Sequence, residues 1–258
     1  MHDALGDRMK RCYEDRTRVL LPRRTNMIVR VDGRAFHTLT RDLERPFDAA
    51  LAGWMDSVCV ALCEEIQGAK MGFVQSDEAS VWATDYDTLQ TEAWFDGNVQ
   101  KVASLAASIA TRAFCVWRNA TFDGRAFTVP ALDEVANYFI WRQQDATRNS
   151  ISMAAQAHFS HKELHGKGVN EMQEMLFQGK GINWSDYPVG FKRGRAVVRV
   201  TTVGQAKWTD KAGVEHVEEN VERSEWRVED PPVFTADRDY ILNRAPTPHR
   251  RDARGEAL

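Results

Sequence analysis

Two acidic stretches, each at the end of an apolar run, place the strongest constraint on the fold of this chain. Residues 27–31 are mostly apolar and branched, which is typical of a buried β-strand, and they run directly into Asp32-Gly33. Residues 72–75 and 79–82 predict two more strands, joined by the tight turn Ser76-Asp77-Glu78. A fold of this chain must therefore present carboxylates where these strands end.

Helical patterns between the strands set their order. Apolar residues recur at helical spacing over 47–66, and Gly68 stands where a C-terminal cap belongs. A second helix is expected over about 95–116, followed by a fourth strand over 126–129. The order β-α-β-β-α-β is the split βαβ arrangement, so the sequence predicts an α+β fold with a ferredoxin-like palm. In that topology Asp32 and Asp77 meet at one sheet edge, although they are distant in sequence.

The second half of the chain follows a different pattern. Residues 133–177 predict helices, and 196–217 predict a strand and a hairpin that turns at 210–213, ahead of a polar tail. We therefore expect a palm catalytic domain with an N-terminal arm over 1–135, and a helical and β-hairpin C-terminal extension over 136–258. The arginines and lysines before residue 25 fit either a solvated helix face or a phosphate-contacting arm.

Composition limits the classes of function. The net charge is −3, so any nucleic-acid surface must be local. The four cysteines form no CxxC pair, which favours free thiols over disulfides or zinc ligands. We find neither a signal peptide nor a long apolar run, so we expect a cytoplasmic protein without a membrane partner.

The paired acids suggest metal chemistry. Carboxylates on one edge suit magnesium, and two such ions can assist an in-line phosphoryl displacement. The candidate ligands are Asp32, the Gly33 carbonyl and Asp77, with Glu78 as an outer ligand or a holder of water. Taken singly, an Asp-Gly pair or an acidic hairpin tip fits an ordinary turn equally well.

Neighbouring residues are candidates for binding a nucleotide. Arg34, Ser76 and Lys101 could contact triphosphate oxygens, and Phe36 and His37 could flank the base or ribose. Lys101 fits a solvated helix lysine as well.

Two further sets are expected to be structural: the histidines at a partly exposed helix face (His158, His161 and His165), and the tryptophans in the core (Trp54, Trp82, Trp94 and Trp117).

Three motifs in order, VRVDGRAFH, GFVQSDEAS and WRQQDATRNS, resemble the tRNA(His) guanylyltransferase family over about residues 8–195. The bacterial-type, guanylyltransferase-like branch is the most similar. The resemblance implies a palm nucleotidyltransferase that uses two Mg²⁺ ions and GTP or another nucleoside triphosphate. It would add nucleotides to the 5′ end of tRNA in the 3′–5′ direction, with ATP as a candidate for activating that end.

The resemblance also implies roles for particular residues. The catalytic residues would be Asp32, Asp77 and Glu78, with the metal held by Asp32, Gly33 and Asp77. The nucleotide-binding positions would be Arg30, Asp32, Gly33, Arg34, Ala35, Phe36, His37, Ser76, Asp77 and Lys101. The candidate tRNA contacts in the C-terminal tRNA-binding and oligomerisation region are Arg142, Arg148, Asn149, Lys162, Lys167, Lys192 and Arg193. The family usually forms a homotetramer, a dimer of dimers.

One departure from the family pattern bears on the reaction. Eukaryotic members carry His-Ile-Asn-Asn where this chain has residues 147–150, Thr-Arg-Asn-Ser. The missing histidine favours template-dependent 5′-end repair over addition of the extra guanylate to tRNA(His). Two alternatives remain: a palm-type nucleotidyl cyclase, and a tRNA-binding protein with a silent palm.

Overall fold

One antiparallel sheet organises the computed structural model, which describes residues 3–209, 211, 213 and 215–246. Its strand order within these residues is β4-β1-β3-β2-β5-β6, so the first strand lies between the third and the fourth. The strands are β1 (Asn26–Gly33), β2 (Ala69–Gln75), β3 (Glu78–Thr84), β4 (Phe122–Val129), β5 (Arg195–Thr209) and β6 (Glu215–Glu229).

Helices lie on both faces of the sheet. The N-terminal helix continues into a π-helical turn (Lys10–Glu14) and a 3₁₀ turn (Asp15–Thr17), and further 3₁₀ turns are Trp94–Gly97 and Trp184–Asp186. The α-helices are α1 (Ala4–Met9), α2 (Phe36–Leu39), α3 (Ala49–Glu65), α4 (Val99–Cys115), α5 (Leu132–His158), α6 (His161–Leu164), α7 (Val169–Lys180), α8 (Val189–Arg193) and α9 (Asp239–Leu242). This architecture confirms the expected mixed α and β fold, and its sheet is antiparallel.

The alternation of side chains along β1 divides the core into two layers. Val29 and Val31 point to the face covered by α3 and α4, whereas Ile28 packs with Phe139 of α5 on the other face. Helices α3 and α4 both start with an N-cap side chain. The Asp48 carboxylate accepts a hydrogen bond from the Leu51 amide at 2.8 Å, and Asn98 caps α4 in the same way.

Helix α5 joins two cores. Its 27 residues span about 40 Å, so it extends past the sheet. Its first half packs on the sheet, and its second half packs with Leu176 and Trp184 in a separate cluster. The expected division at residues 135 and 136 falls inside this helix, where Val135 and Ala136 are both buried in the same core.

The C-terminal hairpin is longer than expected. Strands β5 and β6 have 15 residues each, and only the start of β5 pairs with β2. The expected turn at 210–213 lies partly outside the described residues, since 210 and 212 are not among them, and the tail from 247 lies wholly outside. Across the described ranges, we find no helix long and apolar enough to span a bilayer.

Candidate active site

The antiparallel pairing of β1 and β3 brings the predicted acids together. Asp32 lies opposite Glu78, and the Gly33 amide donates to the Asp77 carbonyl oxygen at 3.0 Å. Asp32 and Asp77 are therefore neighbours at one sheet edge, as the topology predicts. We call this edge, with Asp32, Gly33 and Asp77, the acidic edge.

A two-residue turn holds Asp77 at this edge. Gln75 pairs with Glu78 across the turn, and Ser76 has a φ of +48°, in the left-handed region that non-glycine residues rarely adopt. Such strained positions are common at functional sites. Burial raises the pKa of the Asp77 carboxyl above its ordinary value, and the nearby charge of Asp32 adds to the rise.

Gly33 is required because the Phe36 ring lies against it. A Cβ at Gly33 would stand 2.3 Å from Phe36 Cε2, much closer than two carbons can approach. The Phe36 ring is buried and packs on Phe114 and Phe122, with ring centroids 5.1 and 5.4 Å away. The expectation that the Phe36 side chain flanks a base or ribose is therefore wrong, whereas His37 beside it is exposed.

Glu78 is engaged by an arginine from α5. The guanidinium of Arg142 donates two hydrogen bonds of 2.9 Å to the Glu78 carboxylate, and a third of 2.9 Å to Asp145. Arg30 lies on the other side, with its Nε 3.9 Å from Glu78. Burial raises the pKa of Glu78, and the charges of Arg142 and Arg30 oppose that rise. These ion pairs fix α5 against the turn Ser76-Asp77-Glu78, called the acidic turn below.

A polar cleft of about 310 Å³ opens between the acidic turn and α5. The α5 residues that line it recur at spacings of three and four, which is one helix face. The motif WRQQDATRNS carries this spacing, so the sequence could have indicated Asp145. The lining residues are Asp32, Gln75, Ser76, Asp77, Glu78, Arg142, Asp145, Asn149, Ser152, Met153 and Gln156.

A second, more apolar pocket adjoins the cleft and shares four lining residues with it, Gln75, Ser76, Asn149 and Met153. Phe47 and Phe191 stack in its wall, with ring centroids 5.1 Å apart and planes 6° apart. An apolar slot beside a polar cleft suits a planar base joined to a charged group. The sequence places Phe47 only in a helix pattern, and its role as pocket lining depends on the distant α8.

Lys101 is engaged outside the cleft. It lies in the first turn of α4, and its ammonium lies over the Phe95 ring, 4.6 Å from the ring centroid. Lys101 is not among the residues that line the polar cleft. The expected contact of Lys101 with the triphosphate is therefore not supported by the arrangement of its side chain.

The predicted tRNA contacts separate into exposed and buried residues. Arg148, Asn149, Lys162 and Lys167 are exposed, and Arg193 is half-buried. Two others are corrected, since Arg142 is 5% exposed and bound to acids, and Lys192 is 7% exposed with its ammonium on the Ser185 carbonyl. Neither can reach an RNA phosphate in this arrangement.

The aromatic predictions also divide. Trp82 and Trp94 are buried as predicted, and Trp54 is half-buried. Trp117 is 53% exposed, so its expected place in the core is wrong.

The donor set at the acidic edge fits a hard divalent cation. Carboxylates and a carbonyl are oxygen donors, and neither Asp32 nor Asp77 forms an ion pair with any residue that the structure describes. Over the same residues there is no group of three or more His, Cys, Asp or Glu side chains placed to hold a metal. The candidate set therefore consists of the two aspartates and a backbone carbonyl.

Comparison with known proteins decides the family. The family model described as Thg1, tRNAHis guanylyltransferase, matches residues 6–138. The chain belongs to the tRNA(His) guanylyltransferase family. The family predicted from the three motifs is thus confirmed, and with it the class of enzyme, a nucleotidyltransferase.

Solved structures of family members agree over nearly the whole chain. A bacterial tRNA(His) guanylyltransferase-like protein in complex with ATP is 43% identical, with 93% of this chain and 99% of that chain covered and a TM-score of 0.81. A bacterial tRNA(His) guanylyltransferase-like protein in complex with GTP is 42% identical, with 94% of this chain and 99% of that chain covered and a TM-score of 0.76. A probable tRNA(His) guanylyltransferase of Drosophila melanogaster is 26% identical over 67% of this chain, which spans 66% of that relative's length.

Proposed function

We propose that this chain is a magnesium-dependent nucleotidyltransferase that adds nucleotides to the 5′ end of tRNA in the 3′–5′ direction. One observation carries the proposal: two aspartates from distant parts of the chain become neighbours beside a polar cleft. In this proposal, strands β1 to β4 with α3 and α4 form a ferredoxin-like palm.

Each residue at the edge has a proposed task. Asp32, the Gly33 carbonyl and Asp77 hold two magnesium ions, which when bound neutralise phosphate charge and favour an ionised 3′-hydroxyl. Arg30, two residues before Asp32 on the same face of β1, is a further proposed nucleotide contact. Glu78 keeps α5 at the turn through Arg142. Arg34, Ala35, His37 and Ser76 remain the proposed nucleotide contacts, and the apolar pocket beside Ser76 takes the base.

The substrate proposal is 5′-end repair of tRNA with nucleoside triphosphates. The ATP and GTP complexes of bacterial relatives support the nucleotide class, with ATP also proposed for 5′-end activation. Thr147 in place of the eukaryotic members' histidine supports repair over addition of the extra guanylate.

The C-terminal region is the proposed place of tRNA binding and subunit assembly. The exposed Arg148, Asn149, Lys162 and Lys167, with Arg193, are the proposed contacts. A homotetramer is proposed from the family resemblance, and the exposed apolar residues of the hairpin, such as Val203, are consistent with assembly. The tRNA substrate makes the cytoplasm the proposed compartment.

Nucleotide addition to a shortened tRNA tests the proposal. The protein is incubated with Mg²⁺, labelled nucleotide and a tRNA lacking its first residue, with and without a chelator. The wild type should extend the 5′ end only with Mg²⁺, Asp77→Ala should not, and the matched control Asp133→Ala should behave as wild type because this exposed acid lies in the first turn of α5, far from the cleft. Failure of the wild type to extend any tRNA, or a cyclic product without RNA, contradicts the proposal.

A further inference from the structure

The loop after α4 carries a tryptophan, Trp117, whose side chain is largely open to solvent. Trp117 is 53% exposed, and one of its faces stacks on Trp54 with ring centroids 6.2 Å apart and planes 15° apart. The adjacent Val116 is 74% exposed. Large apolar surface that is held open to solvent in this way commonly marks a binding site.

The exposure is fixed by hydrogen bonds. Arg118 donates two bonds of 2.8 Å to the Asp42 carboxylate and one of 2.9 Å to the Leu39 carbonyl. The Trp117 amide donates to the Phe114 carbonyl at 2.9 Å, and the Arg34 amide donates to Thr121 at 2.9 Å. The indole is therefore held in place before any partner arrives, which reduces the entropy cost of binding.

The exposed indole lies close to the acidic edge. Phe122 pairs with Gly33 in the sheet, and the five residues from Trp117 to Phe122 span at most about 18 Å. An RNA strand whose end reaches Asp32 can therefore place another of its nucleotides at Trp117.

The charges around the indole favour a polyanion. Arg41 and Arg45 lie in the segment that Arg118 holds, both are exposed, and neither has an acidic partner among the residues that the structure describes. The two acids in that segment are Asp42, which is already paired with Arg118, and Glu44. Arginines flanking a stacking aromatic are typical of sites for single-stranded nucleic acid.

We propose that Trp117 is a stacking platform for an unpaired base of the RNA substrate, with Arg41 and Arg45 facing the adjoining phosphates. This inference rests on the proposed function and deepens it, because it assigns the surface after the C-terminal end of α4 to single-stranded RNA. Stacking recognises any base, so the platform holds the strand without reading its sequence.

Binding of two matched RNAs tests the platform. One RNA is a blunt duplex, and the other is the same duplex with an unpaired overhang; dissociation constants are measured by fluorescence anisotropy at one fixed salt concentration. Trp117→Ala should weaken binding of the overhang RNA about tenfold and of the blunt duplex less than about twofold, since only an unpaired base can stack. Trp117→Phe should retain most of the affinity.

Leu89→Ala is the matched control, because Leu89 is a large apolar residue that is 65% exposed and follows β3 at the end of the sheet opposite Asp32. It should bind both RNAs as wild type does. Equal losses of affinity for the two RNAs, or no loss for Trp117→Ala, would overturn the platform. A change in the mass of the Trp117→Ala assembly, measured by light scattering, would also overturn it, because this face would then be a contact between protein subunits.

The two proposals fail separately. If the wild type extends tRNA while Trp117→Ala binds RNA unchanged, the platform falls alone. If the wild type adds no nucleotide but overhang binding still depends on Trp117, the catalytic proposal falls and the RNA site stands.

Discussion

Removal of the Arg142 side chain should reveal how strongly α5 is tied to the acidic turn. Arg142→Met keeps most of the apolar stem but leaves the Glu78 carboxylate without its two 2.9 Å donors. The side chains of Arg142 and Glu78 are 6% and 13% exposed, so water replaces little of the lost interaction. Removing one partner of a buried ion pair costs about 3–5 kcal/mol.

The structure favours the lower end of that range. Arg30 remains 3.9 Å from Glu78 and offsets part of the uncompensated charge. We expect a loss of about 3 kcal/mol in the free energy of unfolding, or about 6–12 °C in Tm for a chain of this size. Urea titration followed by circular dichroism and a thermal scan measure the two quantities.

The loss should also depend on pH. Burial already raises the pKa of Glu78, and removing Arg142 removes the first charge that opposes the rise. A carboxyl whose pKa is raised in the folded state favours folding when it is protonated. The deficit of Arg142→Met relative to wild type should therefore be full above the raised pKa of Glu78 and shrink as the pH falls through it.

Arg148→Met is the matched control. Arg148 bonds to Asp145 at 3.0 Å from the same helix, but its side chain is 48% exposed. Its loss should cost within about 0.5 kcal/mol and show no such pH dependence. If Arg142→Met is no more destabilising than Arg148→Met, the reasoning about the buried ion pair is refuted.

Three further outcomes follow from the same geometry. Asp77→Asn should lower nucleotide addition at least about 100-fold, since a direct metal ligand matters more than a residue that supports one. The same change should leave Tm equal or higher because it removes a buried charge, and a lower Tm would contradict this. Gly33→Ala should cost about 1–3 kcal/mol of stability, measured by urea titration, because its Cβ meets the Phe36 ring, and an unchanged midpoint would show that the ring moves freely. Lys101→Ala should leave the KM for the nucleotide within about twofold of wild type, since Lys101 does not line the cleft and its ammonium lies over the Phe95 ring. A large increase in KM would reinstate its expected role.

The acidic edge could be predicted because it depends on topology alone. An order of β-α-β-β-α-β places the end of β1 beside the turn between β2 and β3, whatever side chains surround them. Lys101 could not be placed in this way, since its position depends on where α4 begins. Phe36 has the same difficulty, because only the packed structure reveals that its ring fills the space beside Gly33.

The cleft wall needed information that lies far along the chain. Arg142 carries a positive charge in a motif, which suggests RNA, but its burial follows from the docking of α5 on Glu78, 64 residues away. Trp117 shows the reverse case, since an apolar residue at a helix end was expected in the core and lies in solvent. For these two residues, side-chain burial rather than secondary structure is what the sequence could not supply.

A single rigid rod, α5, connects the acidic turn to the C-terminal cluster around Trp184. Because the rod is continuous, a tilt of a few degrees imposed at its far end would move Asn149 and Ser152 relative to Asp77 and so widen or narrow the cleft. Chimaeras that exchange the C-terminal half between relatives will therefore inherit the opening of the polar cleft from the donor of this helix.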